Sequence, residues 1–217
     1  MAGDAGAVVT VKVTGTRTGY TTVTKESAPT AAVAKGDLTL TPAPTVSGTP
    51  RFGETLVADP GTWDPGTTFS YRWLTDGIPV AGAVGPSYLL KAADVGTSVV
   101  VFVTGSKAGY TSVTRASAGT AAVAAAALPD TECTVTVGGQ AKVGKRLKAQ
   151  VAGCPPGTTV RYAWYAGSKP VKGADAATYK LRTAQAGKRI KVLVSIEAPG
   201  YLSELRASRP TGKVRGR

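Results

Sequence analysis

The chain reads as all-β, built from small tandem sandwiches, and three observations predict this. Residues 71–110 recur as 162–201 at a constant offset of 91 with no gap, so that Trp73 becomes Trp164, Gly96 becomes Gly187 and Tyr110 becomes Tyr201. A partial third copy occupies residues 2–34, aligned with 92–124 at an offset of 90. Apolar residues, mostly Val, Ala and Leu, alternate with polar ones among plentiful Thr and Gly, and no long amphipathic helical pattern occurs. A period of about ninety residues is the size of a sandwich rather than of a solenoid unit. The 217 residues therefore divide into the closing strands of a truncated repeat (1–35), one complete repeat (36–125) and a second complete repeat (126–217).

In the truncated copy, residues 7–13 read as a strand with Val9, Val11 and Val13 on one face and Thr10 and Lys12 on the other. A turn at 17–19 leads into 20–23 and a last strand ending near Val33. A lone hairpin is marginal in water, so this segment is expected to pack loosely on its neighbour. Residues 1–6 align with 91–96, the middle of a repeat, and carry no signal-peptide pattern. The start thus reads as a cut within a longer exported chain.

After a Lys35-Gly36-Asp37 linker, strands are expected at 38–40, 45–47, 55–58, 69–75, 78–80, 87–90, 98–106 and, with an interruption, 112–123. Pro60-Gly61, Asp64-Pro65-Gly66, Asp76-Gly77 and Lys107-Ala108-Gly109 mark the turns, and Asp76-Gly77 suits a tight hairpin. A single helical turn is expected at 92–95. Alternation then places Phe69, Tyr71 and Trp73 on one strand face and Val99, Val101 and Val103 on another. The corresponding core residues of the last copy are Val160, Tyr162, Trp164, Ile190, Val192 and Val194. Trp73 and Trp164 are the expected anchors, because enclosing an indole of ~200 Å² at ~25 cal/mol per Å² contributes up to about 5 kcal/mol.

A Trp on the third long strand, a Tyr-x-Leu strand, an Asp-x-Gly turn and a valine-rich strand resemble an immunoglobulin-like sandwich. The wording TPRFGETLVADPGTWDPG at 49–66, with Tyr71-Arg72-Trp73 and Ala108-Gly109-Tyr110, closely resembles the Ig-like repeats of exported and cell-surface proteins of actinobacteria. That resemblance covers almost the whole chain. It implies tandem immunoglobulin-like β-sandwiches preceded by a partial repeat, acting as a non-catalytic accompaniment to hydrolases or surface proteins without a fixed ligand. The last copy departs from the pattern at Cys133, at Cys154 and in its added basic residues, so any specialised role is expected there.

The two cysteines stand where the middle copy has Pro42 and Trp63. Exchanging both positions of one repeat for thiols implies that they touch. The expectation is a Cys133–Cys154 disulfide in place of a Trp-on-Pro contact, with two buried free thiols as the alternative; zinc would lack ligands. A disulfide places the chain outside the cell or on its surface. No apolar run approaches the roughly 20 residues that span a bilayer.

Charge is divided unevenly. Residues 1–126 hold 9 basic and 8 acidic side chains, whereas 127–217 hold 17 and 5. Such a field attracts anionic polymer and weakens in salt.

With no histidine anywhere, the usual triads are excluded, and Asp59, Asp64, Asp76 and Asp94 sit in turns, where a carboxylate serves as a cap. No clustered acids suit calcium, no P-loop pattern suits a nucleotide, and no cofactor is expected. The candidate binding residues lie on outward strand faces of the last copy: Arg161 and Tyr165 on one strand, Arg189, Lys191 and Leu193 on its neighbour. Cations around a ring suit an anionic polymer or glycan, and a merely solvated face is the alternative. The middle copy offers Arg72, Leu74, Val100 and Phe102 there, with Leu74 and Phe102 expected as an apolar pair. Lys142, Lys145, Arg146 and Lys148 add charge near the second strand of the last copy.

The leading expectation is a spacer or attachment module of a larger secreted or surface protein, its basic last domain touching anionic cell-wall polymer. A carbohydrate-binding module using Tyr165 or Trp63 is the alternative. Nucleic acid fits the charge but conflicts with the disulfide.

Overall fold

The computed structural model describes residues 2–216. The chain forms two compact units. One takes in the chain up to Pro50 with Glu54–Leu89 and Thr97–Ala122, and the other takes in Arg51–Gly53, Leu90–Gly96 and the chain from Val123 onward.

The first unit begins with a hairpin of β1 (Lys12–Gly15) and β2 (Val23–Glu26), which pair antiparallel. It continues with β3 (Thr45–Ser47), β4 (Thr55–Asp59), β5 (Thr68–Thr75), β6 (Ile78–Pro79), β7 (Ser87–Leu89), β8 (Val99–Ser106) and β9 (Val113–Ala116). These make one sheet in the order β3-β4-β7 and another in the order β6-β5-β8-β9, antiparallel throughout. The second unit repeats the plan with β10 (Thr134–Gly139), β11 (Arg146–Ala152), β12 (Thr159–Ala166), β13 (Lys169–Pro170), β14 (Thr178–Lys180), β15 (Ile190–Glu197) and β16 (Glu204–Ala207). Its sheets are β10-β11-β14 and β13-β12-β15-β16. Three strands facing four, with the indole on the strand that pairs with the valine-rich one, make each an immunoglobulin-like sandwich.

Both indoles are fully enclosed, at 0 % exposure. Each stays polar-satisfied, since Trp73 Nε1 donates to the Gly85 carbonyl and Trp164 Nε1 to that of Ala176, both at 2.9 Å. Tyr88 lies 5.8 Å from the Trp73 ring and Tyr179 lies 5.8 Å from that of Trp164. Three-residue 3₁₀ turns stand at Ala92–Asp94 and Thr183–Gln185, where Asp94 Oδ2 accepts from Lys91 N and Gln185 Oε1 from Arg182 N.

The long last strand of each repeat is interrupted for a reason that its residues carry. Val101 N donates to Ser117 Oγ and Val99 N to Thr120 Oγ1, while the main-chain N–H groups of Ser117 and Thr120 donate to the carbonyls of Val101 and Val99. Two hydroxyls thus stand in for main-chain carbonyls where the chain bends away. The same device recurs with Ser208 and Thr211 on Val192 and Ile190, and with Ser27 and Thr30 on Val11 and Val9. Ser-x-x-Thr recurs in all three copies, so it belongs to the fold and not to one domain's function.

Three expectations need correction. The ladder of the first hairpin starts only at Lys12, and Val9, Val11, Val13 and Tyr20 are all exposed, so the looked-for packing is absent among the described residues. Three valines and a tyrosine without a facing sheet have nothing to bury against. Residues 38–40 form no strand, because the Asp64 carboxylate takes the main-chain N–H groups of Thr39 (2.6 Å) and Leu40 (3.3 Å) that a ladder would use. Leu74 keeps the outward parity of Arg72 but is buried there, with β6 added beside it at Pro79, and its cross-strand partner is Val100 rather than Phe102. Beyond these, Trp63 packs over Gly105, where an added Cβ would come within 2.4 Å of the ring, and Pro42 lies against Gly61.

That last contact explains the cysteines. The residue equivalent to Gly105 in the second sandwich is Ile196, which is fully buried. A large ring over a glycine in one sandwich is exchanged for a disulfide beside an isoleucine in the other, a swap that conserves filled volume. Cys133 and Cys154 are bonded, with Cα atoms 4.3 Å apart and 21 residues of separation.

Asp64 also sets a pH dependence. The Thr39 hydroxyl, donating at 2.7 Å, is the main cause holding its carboxyl below the usual range, followed by the two main-chain donors. A folded pKa below the unfolded one, about 3.9, gives stability that is complete above that value and lost as pH falls through the folded pKa. Asp64→Asn is expected to destabilise the first sandwich at pH 7, with the gap closing as urea melts are taken below about pH 4. A gap that stays constant down to pH 2 counts against this assignment.

Candidate functional site

The outward face of β13-β12-β15-β16 carries the four residues singled out in sequence. Tyr165 pairs across the ladder with Lys191, whose ammonium lies 5.7 Å from the ring centroid. Arg161 pairs with Ser195, four residues along the strand and therefore roughly 13 Å from Tyr165. Half-buried Ala163 and Leu193 lie between. Arg189 falls beyond the end of β15, and its Nη1 donates to the Thr211 carbonyl at 3.1 Å. The four are thus on one side of the sheet but not at one point: a cation over a ring, a separate guanidinium, and a second guanidinium engaged with main chain.

The first sandwich has its own pair on the equivalent face. Arg72 lies over Phe102 at 5.2 Å and is its direct ladder partner. The equivalents of those two residues in the second sandwich are Ala163 and Leu193, so the cation-ring pair sits two residues further along there. Trp63, considered as a stacking platform, is 6 % exposed, packs edge-on against Phe69 at 5.5 Å and donates Nε1–H to the Pro60 carbonyl. It is an internal anchor and offers no face to a sugar.

The acids serve the main chain. Asp59 accepts from Gly61 N at 2.9 Å and Asp76 from Ser98 N at 2.9 Å, beside the Asp64 and Asp94 contacts above. No cluster of three or more metal-ligating His, Cys, Asp or Glu residues occurs among the described residues. No helix there is long and apolar enough to cross a membrane.

Two arginines missed in sequence turn out to be structural. Arg115 donates to the Thr41 carbonyl at 2.9 Å and to its hydroxyl at 2.8 Å. Its equivalent Arg206, with a side chain only 13 % exposed, donates to the carbonyls of Pro129, Asp130 and Glu132 and to the Glu204 carboxylate. Each ties its sandwich's last strand to the segment that enters it. The signal was available, since both occupy one repeat position and the truncated copy has Lys25 there. Arg206 is therefore not part of the accessible positive field.

No known protein family matches the chain, and no characterised protein matches it by sequence. Among solved structures it is similar to the three N-terminal domains of the highly immunogenic outer capsid protein of bacteriophage RB49, at 16% identity and a TM-score of 0.33, over 76% of this chain and 58% of that one. It is also similar to a Ca2+-stabilised adhesin with which an Antarctic bacterium binds ice, at 13% identity and a TM-score of 0.36, over 96% and 56%. A segment of titin matches at 14% identity and a TM-score of 0.31, over 97% and 75%. The chain spans somewhat more than half the length of the first two. By its own sheet order and core, it belongs to the class of tandem immunoglobulin-like β-sandwich chains.

Proposed function

We propose that this chain is a non-catalytic spacer and attachment segment of a larger secreted or cell-surface bacterial protein, of the actinobacterial kind that residues 49–66 resemble, and that its second sandwich contacts anionic polymer of the cell envelope. The carrying observation is the charge division, an excess of 12 cations in residues 127–217 against 1 in residues 1–126, from 17 − 5 and 9 − 8. Two sandwiches of one plan have no folding reason to differ so much. A disulfide of this kind persists in oxidising surroundings, which supports the extracytoplasmic setting. Arg161, Tyr165, Arg189 and Lys191 are one candidate contact face.

The test is sedimentation of the full chain with purified cell walls, intact or stripped of phosphate polymer, across a salt series. Binding to intact walls that disappears at high salt and on stripped walls is expected. Salt-insensitive, saturable binding to a neutral glycan overturns the reading in favour of a carbohydrate-binding module.

A further inference from the structure

The other face of the second sandwich, the outer side of β10-β11-β14, gathers charge that the linear order scatters. Arg146 and Lys180 are direct cross-strand partners, and Lys148 follows Arg146 on the same face of β11. Neighbouring strands lie about 5 Å apart and i,i+2 residues about 7 Å apart, so three cations stand on one small surface. All three are exposed, and none takes part in an ion pair among the described residues. No carboxylate occurs on any of the three strands. Gly138 lies opposite Lys148 and leaves the surface open beside it, while Thr178 is the partner of Lys148 on β14 and Thr136 stands two residues from Gly138 on β10.

Like charges set directly opposite on a sheet destabilise it. The first sandwich has no such pair, for its equivalents are Thr55, Val57 and Leu89, of which Val57 is 46 % and Leu89 56 % exposed. The fold therefore does not require cations here and accepts repulsion where they stand. Lys142, Lys145 and Arg182 continue the positive charge at the end of the same sheet, and Leu181 N donates to the Lys145 carbonyl there at 2.9 Å.

We infer that the outer face of β10-β11-β14 is the surface on which a linear polyol-phosphate polymer of the envelope lies. A row of point charges with hydroxyls between them matches repeated phosphates on a flexible chain, and it lacks the aromatic platforms that single-stranded nucleic acid stacks on. The inference rests on the polyanion reading above and assigns it to a face other than that of Tyr165 and Lys191.

The experiment titrates the full chain with polyglycerol phosphate over a salt series, using two multiple variants. Arg146→Thr, Lys148→Val and Lys180→Leu together place the first sandwich's own residues on the face, so the variant is expected to fold, with a melting temperature equal to or above the parent's. It is expected to lose at least tenfold in affinity and to flatten the slope of log affinity against log salt by about 2 to 3. Lys169→Ala with Lys172→Ala, two exposed cations off the β10-β11-β14 sheet, is expected to change affinity less than threefold. If the second variant loses binding and the first keeps it, this face is the wrong one while the polyanion reading stands. If the parent itself does not bind, both fail. Duplex DNA bound as tightly as polyglycerol phosphate, or a triple variant that melts below the parent, overturns the inference.

Discussion

Replacing Trp164 by Ala is expected to remove about 3 to 5 kcal/mol from the second sandwich, close to the whole stability of a domain of that size. The ring is fully buried in a core that it shares with Leu147, Leu181, Ile190 and Val192, and a methyl group leaves a void that close-packed neighbours only partly fill. The Ala176 carbonyl also loses its donor. Calorimetry should show the second sandwich's transition shifted down or missing while the first keeps its own. Trp164→Phe, which retains most of the apolar surface and loses the N–H, should fall between. Trp73→Ala should do to the first sandwich what Trp164→Ala does to the second. A Trp164→Ala protein that melts like the parent would falsify the assignment of the indole as anchor.

Reducing the Cys133–Cys154 bond is expected to cost the second sandwich about 3 kcal/mol, the closure entropy of a loop of this length. For a domain of this size that corresponds to a melting temperature lowered by roughly 10–20 °C. The first sandwich, with Pro42 and Trp63 in those places, should be untouched by reductant. Paired melts with and without dithiothreitol measure both at once, and Cys133→Ala with Cys154→Ala should reproduce the reduced curve. Equal shifts in both transitions, or none, would contradict a bond that acts locally. Tyr179 adds a contrast from the same core. Its buried hydroxyl has no hydrogen-bond partner among the described residues and burial pushes its pKa up, so removing that oxygen has no such bond to break.

Much of the architecture was readable from the residues because the repeat is written at a fixed spacing. A constant register makes one copy a commentary on the next: it identified two full sandwiches and a partial one, and it matched Cys133 with Cys154 by what they replace. The short helical turn and the use of turn carboxylates as caps were equally visible, since both are local. The errors concern relations between strands. Leu74 was placed outward by alternation alone, and only the register of β5 with β6 and β8 shows it covered and paired with Val100. Residues 38–40 had strand composition but lost their ladder to a single carboxylate 25 residues away. The four candidate binding residues share a face, as their parity requires, yet the distance along the strand separates Arg161 from Tyr165 and a local carbonyl engages Arg189.

What the amino-acid order determined by itself was the kind and number of folded units, the pairing of the thiols and the unequal division of charge. Each of these follows from periodicity or from comparing equivalent positions. Only the tertiary structure decided which charges are neighbours, placing Arg146 beside Lys180 across 33 intervening positions and withdrawing Arg206 into a cage of carbonyls. The reason is physical. Side-chain alternation is set by the backbone of one strand, whereas proximity across a sheet depends on the register that turns, bends and hydrogen-bonded hydroxyls impose from elsewhere in the chain.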